Sequence, residues 1–150
     1  MKIISIAFVA LAFLCACCKT EKSEPVNVAT FNIRLAPYPE FDAWKNRRDA
    51  VGALIKKHGF EIFGTQEGYF YQLEEIADRT GYKFVAHGRE DGKRKDETAA
   101  VFYNPARFEL LDSGAFWFAE TPDKPVLGWD AACKRVCSWG KFRDTKTDKI

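Results

Sequence analysis

From Val26 onward the apolar residues of this chain switch repeatedly between a two-residue and a 3.6-residue period. A chain that does so buries strands against helices, which makes it α/β. Val26 to Arg34 alternates, with Val26, Val28, Thr30 and Asn32 on one face and Ala29, Phe31 and Ile33 on the other. A helix follows, capped by Asp42, with Trp44, Val51, Leu54 and Ile55 as its apolar stripe and Gly59 as its stop. Phe60 to Thr65 is a second strand ending at Gln66-Glu67. Tyr69 to Arg79 is a second helix, with Leu73, Ile76 and Ala77 inward and Gly81 closing it. Further strands are expected at Tyr82 to His87, Thr98 to Tyr103, Arg107 to Asp112, Ala115 to Ala119 and Lys134 to Asp144. A charged loop separates the first two, and a hairpin turn follows Asp144. Thirteen Phe and four Trp in 150 residues supply one modest core and exclude intrinsic disorder.

The N-terminus carries a different signal. Lys2 precedes an apolar run, Ile3 to Leu14, too short to cross a bilayer, which leads into Leu14-Cys15-Ala16-Cys17. That has the form of a bacterial lipoprotein processing box. Residues 1–16 are expected to be a removable signal peptide, Cys17 the lipidated residue and residues 17–25 a polar tether. Cys18 is the alternative acceptor, and an ordinary signal peptide with incidental cysteines is the plainer reading. The expectation is an exported lipoprotein, a monomer anchored to the membrane in the bacterial periplasm or on the outer-membrane surface. Lys plus Arg is 23 against 21 for Asp plus Glu, and losing Lys2 brings the balance closer to neutral. This excludes a whole-protein basic field for nucleic acid and leaves only the local clusters Arg47-Arg48 and Lys93-Arg94-Lys95. Cys133 and Cys137, four residues apart, would sit about 13 Å from each other on a strand, too far for a disulfide.

Three residues stand where chemistry is possible. Asn32 lies in an otherwise hydrophobic strand, where a carboxamide is costly to bury without partners. Glu67 emerges at the C-terminal edge of an apolar strand, and Glu97 at the entrance to another. A carboxylate and an amide at strand ends suit Mg²⁺, which takes one or two protein carboxylates and keeps several waters. The plainer reading is that each is a cap or a solvated strand end.

Several segments in order carry a resemblance. Val28-Ala-Thr-Phe-Asn-Ile33 and Phe63-Gly-Thr-Gln-Glu67 are followed by Gly88-Arg89-Glu-Asp-Gly92 and Glu97-Thr-Ala-Ala-Val-Phe-Tyr103. Phe116-Trp-Phe-Ala-Glu-Thr-Pro122 and Arg135-Val-Cys-Ser-Trp139 complete the set. The series resembles the endonuclease/exonuclease/phosphatase family over residues 26–150, especially a branch found among exported bacterial proteins. In that branch a Gly stands where this chain has Asp96.

The resemblance implies a four-layer α/β sandwich, two mixed sheets face to face flanked by helices, of which residues 26–150 would be the incomplete N-terminal part. It implies that Asn32 contacts the scissile phosphate and helps the metal site, and that Glu67 ligates the metal, Mg²⁺ with Mn²⁺ as a substitute. Glu97 matches a glutamate that orients a catalytic histidine, and Arg89 and Arg135 stand near positions that contact substrate phosphate. The implied activity is hydrolysis of a phosphoester by in-line attack of water. The substrate is expected to be a small-molecule or lipid phosphoester ahead of nucleic acid. The family's downstream His, Gly-Asp-x-Asn and Asp-His motifs have no match before Ile150, so residues 19–150 alone are expected to be inactive and poorly stable. The rival readings are a nuclease of the same superfamily, or a non-catalytic lipid-anchored binding module. Trp44, Trp117 and Trp129 would line the groove of such a module unless they are core.

Overall fold

The computed structural model describes residues 24–35 and 43–150. The expected signal peptide, Cys17, most of the tether and Asp42 lie outside the described residues. A four-stranded mixed sheet is built from β1 (Val28–Asn32), β2 (Ile62–Gly68), β3 (Lys83–Val85) and β4 (Thr98–Tyr103), in the order β1-β2-β4-β3. β1 and β2 run parallel, with Val28 opposite Ile62 and Asn32 opposite Gln66, and β4 is antiparallel to both of its neighbours. The crossover between the parallel pair is α1 (Trp44–His58), and α2 (Phe70–Thr80) connects β2 to β3.

Both helices pack on one face of this sheet. Phe63, Phe102, Ile33, Ile55, Leu73 and Ile76 are buried together there, and the rings of Phe63 and Phe102 stack with centroids 4.8 Å apart. Burying a side chain of that size contributes roughly 1.5–3 kcal/mol. Each exposed ion pair, such as Arg94–Glu74, contributes about 0–1 kcal/mol, so the apolar face decides the fold. Trp44, Val51 and Ile55 face inward as expected, but Leu54 is 39% exposed. Leu54 is one residue, about 100° of helical turn, from Ile55. Gly52 takes its place in the buried face, where a Cβ would lie 3.1 Å from Arg79 Cβ and the two helices approach closely. The N-cap position of α1 is Ala43, with no side-chain hydrogen bond.

On the other face lies an antiparallel hairpin of β5 (Phe108–Trp117) and β6 (Val136–Asp144). β6 packs across β4, with Phe142 against Tyr103 at 4.9 Å between centroids, and Ser138 Oγ lies 3.3 Å from His87 Nδ1. The two strands expected at 107–112 and 115–119 are one. The small residues Ser113-Gly114 continue the ladder because the Trp139 indole lies over Gly114, 3.0 Å from where a Cβ would stand. The irregularity falls instead between Leu110 and Asp112. The expected turn after Asp144 is present, closed by Asp144 N–H donating to Lys149 O. Cys133 and Cys137 are free thiols.

The hairpin covers only the β4–β3 side of the sheet. Val28 on the β1–β2 side is 69% exposed. An open cavity of about 900 Å³ lies between that side and the hairpin, bordered by Val26, Ile62, Phe108 and Phe142. Ile62 begins β2 and Phe108 begins β5, so this cavity sits at the end of the strands opposite to Asn32 and Glu67.

Candidate active site

Asn32 ends β1 by folding its side chain back on the chain. Its Oδ1 accepts from the Arg34 backbone N–H at 2.8 Å, and Arg34 takes a left-handed φ of 59°. Its Nδ2 donates to Glu67 Oε1 at 2.8 Å. Glu67 sits in the β2 bulge between Thr65 and Gly68, with φ 62°, and its Oε2 accepts from the Leu35 N–H at 3.2 Å. Gly68 allows the bulge to close on the core: a Cβ there would lie 2.8 Å from Leu73 Cδ2 and 3.0 Å from Ile33 Cδ1. The Asn32 hydrogen bond, then the Leu35 N–H, holds the Glu67 carboxyl below its ordinary range, and Glu67 is ionised at neutral pH.

Two further residues, not singled out from the sequence, fix this geometry. Gln72 is fully buried in the first turn of α2, accepting from Tyr69 N–H at 3.0 Å and donating to Arg34 O at 3.3 Å. Arg47 reaches from α1 to donate to Ile33 O at 2.7 Å, with its guanidinium over the Trp44 ring. The turn after β1 is therefore pinned from both helices. A glutamine on the inward stripe of α2, beside Leu73, is the only signal that sequence alone offered. Arg47 and Arg48, considered as a nucleic-acid patch, are engaged internally, Arg48 by Glu75 at 3.1 Å.

Glu97 immediately precedes β4, whose Thr98 is opposite Gly68, so it lies at the same edge of the sheet as Glu67. Its Oε1 pairs with Arg89 Nη1 at 3.1 Å, and Arg89 Nη2 pairs with Asp96 Oδ1 at 3.2 Å. Asp96, at the position where the resembling branch has Gly, takes φ 69° and accepts from the Glu97 N–H at 2.7 Å. An aspartate can replace glycine here because its short side chain makes such local bonds in the left-handed region. The Tyr69 phenol lies near this cluster, and burial followed by the Asp96 and Glu97 charges pushes its pKa up. Asn32 and Glu67 thus form one group, and Glu97, Arg89 and Asp96 a second beside it. The exposed Arg135 side chain is in neither.

Among the described residues no group of three or more His, Cys, Asp or Glu side chains is placed to hold a metal ion. Glu67 offers a single ionised carboxylate whose two oxygens each accept one hydrogen bond, leaving a lone pair on each. The Asn32 amide turns its NH2 to that carboxylate and its oxygen, with one lone pair still open, to the Arg34 N–H; so small a ligand set fits a hard cation that retains most of its water.

No family model matches the chain. It is 41% identical to a solved endonuclease/exonuclease/phosphatase from Bacteroides vulgatus, with a TM-score of 0.81 over 83% of this chain and 49% of that one. It is 39% identical to a mannosyl-6-phosphatase from Bacteroides thetaiotaomicron, with a TM-score of 0.80 over 83% of this chain and 48% of that one. Among curated proteins it is 28% identical, over 114 residues, to an uncharacterized protein of Acanthamoeba polyphaga mimivirus, covering 71% of this chain and 42% of that protein. The chain spans about half the length of the proteins it matches.

Proposed function

Because the chain belongs to the endonuclease/exonuclease/phosphatase family, we propose that the intact protein is a divalent-metal-dependent phosphoric ester hydrolase whose substrate is a sugar phosphate. The observation that carries this reading is the Asn32–Glu67 hydrogen bond, which presents an oriented, ionised carboxylate at the end of paired parallel strands. Glu67 and Asn32 would hold Mg²⁺, with Mn²⁺ as a substitute. Bound there, the cation neutralises charge on the phosphoryl oxygens. Asn32 keeps the carboxylate in one orientation, and its hydrogen bond, then that of the Leu35 N–H, favours the ionised form. Glu97 holds the Arg89 cation at the edge where the phosphate enters, while Arg135 remains a candidate for a second phosphate contact. Water displaces the sugar hydroxyl at phosphorus, giving inorganic phosphate and the free sugar.

The sugar-phosphate reading is supported by the mannosyl-6-phosphatase among the similar structures and by the near-neutral charge of the chain. Proteins that bind nucleic acid neutralise each phosphate with Lys or Arg. Arg47 and Arg48 are committed internally, which leaves only the exposed Lys93-Arg94-Lys95 loop, its Arg94 paired with Glu74, for that task. The test is to incubate the intact protein with mannose 6-phosphate, sphingomyelin and plasmid DNA, with Mg²⁺ or with EDTA. Phosphate release from the sugar is expected to exceed the other two activities and to vanish in EDTA. A folded protein releasing no phosphate with any divalent ion would overturn the proposal.

The proposed anchor is separable from the chemistry. Labelling growing bacteria with an alkyne fatty acid is expected to mark the wild type and not Cys17→Ala. Equal labelling of both would move the acceptor to Cys18 or remove it.

A further inference from the structure

The three tryptophans considered as walls of a ligand groove have separate fates. Trp44 and Trp117 are core, 4% and 5% exposed, whereas Trp129 is 70% exposed. Trp129 also has φ 46°, a conformation that a bulky side chain rarely adopts. Its surroundings hold it there. The backbone of Gly128 lies against the Phe118 carbonyl, where any Cβ would collide, and Ala131 N–H donates to Gly128 O at 3.0 Å.

The loop carrying Trp129 is fastened to the Arg89–Glu90 segment from both of its ends. On the entering side, Trp117 Nε1 donates to Arg89 O at 2.8 Å. On the leaving side, Lys134 Nζ donates to Glu90 O at 3.0 Å and pairs with its carboxylate, and Arg89 Nη1 lies 3.8 Å from Cys133 Sγ. Arg89 is the partner of Glu97, so the loop is tied to the same edge of the sheet as the proposed site.

We infer that Trp129 is a stacking platform for the pyranose ring of the sugar phosphate. This rests on the hydrolase reading above and specifies which part of the protein recognises the sugar. A hexose ring has a face of polarised C–H bonds and an edge of hydroxyls. The electron-rich face of an exposed indole takes the first. The neighbouring Asp130 and the Lys134–Glu90 pair offer acceptors and donors for the second.

The test uses Trp129→Ala and Trp129→Phe in the intact protein, with circular dichroism melts to confirm that both fold. Trp129→Ala is expected to raise KM for mannose 6-phosphate roughly 3- to 10-fold with kcat unchanged. Turnover of glycerol 3-phosphate stays at the wild-type level, and Trp129→Phe recovers most of the loss. In proton–nitrogen spectra the Trp129 indole signal, identified by its absence in Trp129→Phe, shifts with mannose 6-phosphate and not with glycerol 3-phosphate. An unchanged KM, an equal loss on both substrates or an unmoved indole signal overturns the platform, while wild-type phosphate release leaves the hydrolase reading standing. A larger indole shift with adenosine 5′-monophosphate than with the sugar phosphate overturns the sugar assignment in favour of a base. Absence of wild-type turnover together with an unmoved signal overturns both.

Discussion

Glu67→Gln in the intact protein is expected to cut metal-dependent phosphate release by roughly 100- to 1,000-fold while lowering the melting temperature by no more than about 5 °C. Glutamine has the same shape and its oxygen still accepts the Asn32 Nδ2–H bond, but its NH2 cannot accept from the Leu35 N–H, so one of the two bonds that join residue 67 to the turn after β1 is lost. Also lost is the negative charge that would hold the cation. Companion measurements come from pH. Because the Asn32 and Leu35 donors depress the folded pKa of Glu67, its contribution to stability is complete above the ordinary value of 4.5. That contribution disappears as pH falls through the lower folded value. The acid limb of activity should likewise lie below the usual glutamate range. Asn32→Ala, which removes the first of those donors, should move it upward. Glu67→Gln activity equal to wild type, with the same Mg²⁺ dependence by titration, would place the metal elsewhere.

Arg107→Met is expected to lower the melting temperature by roughly 10 °C, the largest effect of any single charge removal in the described residues. Arg107 is 4% exposed at its side chain and stands between two carboxylates. Its Nη1 lies 2.8 Å from both Glu61 oxygens, while Nη2 and Nε contact Asp144 at 2.7 and 3.1 Å. It also donates to the carbonyls of Glu24 and Pro25, so one guanidinium ties the entry to β1, the start of β2 and the end of β6. Removing it leaves the Glu61 and Asp144 carboxylates without the guanidinium that stands between them. Arg107→Lys should not rescue, because a point charge cannot reproduce the planar fork. The hydrogen bonds from Arg107 hold Asp144 at about 2. For Glu61 burial acts upward, but the Arg107 and Asn27 bonds outweigh it and the net shift is downward. Both contributions are therefore complete above the ordinary carboxylate values and are lost as pH falls, for Asp144 between about 4 and about 2. Thermal melts of wild type and variant at pH 7 and pH 3 check this: the gap should narrow at the lower pH, and an equal gap would show that the charges contribute nothing.

What could be read from the sequence follows from how local each cause is. Thr98 to Tyr103 was legible to the residue because its apolar run is bounded on both sides by polar breakers. The ends of both helices were legible because glycines stop them. Asn32 and Glu67 were legible as separate polar residues at strand ends. Their direct hydrogen bond was not, because it spans 35 positions and depends on the parallel register of β1 with β2. Arg107 looked like an ordinary strand opener, since its partners lie 37, 46 and 82 residues away. The break assumed at Ser113-Gly114 was wrong for the same reason: the residue that fills it, Trp139, belongs to another strand. Arg89 was read as a phosphate contact, and its pairing with Glu97 and Asp96 became visible only once the loop between Gly88 and Thr98 closed.

Among the described residues five non-glycine residues have positive φ, and Arg34, Glu67, Asp96 and Trp129 are four of them. Each costs of order 1–3 kcal/mol relative to a relaxed backbone, a cost that glycine avoids. A mutant library of this protein sorted only for folding would therefore enrich glycine at these positions, and the survivors would be those that had lost the carboxylate at 67, the Arg89 partner at 96 and the indole at 129. Thermostability and turnover would diverge at these sites and agree almost everywhere else. Anyone engineering this scaffold for robustness should hold these four codons fixed and look for gains in the exposed strands of the hairpin.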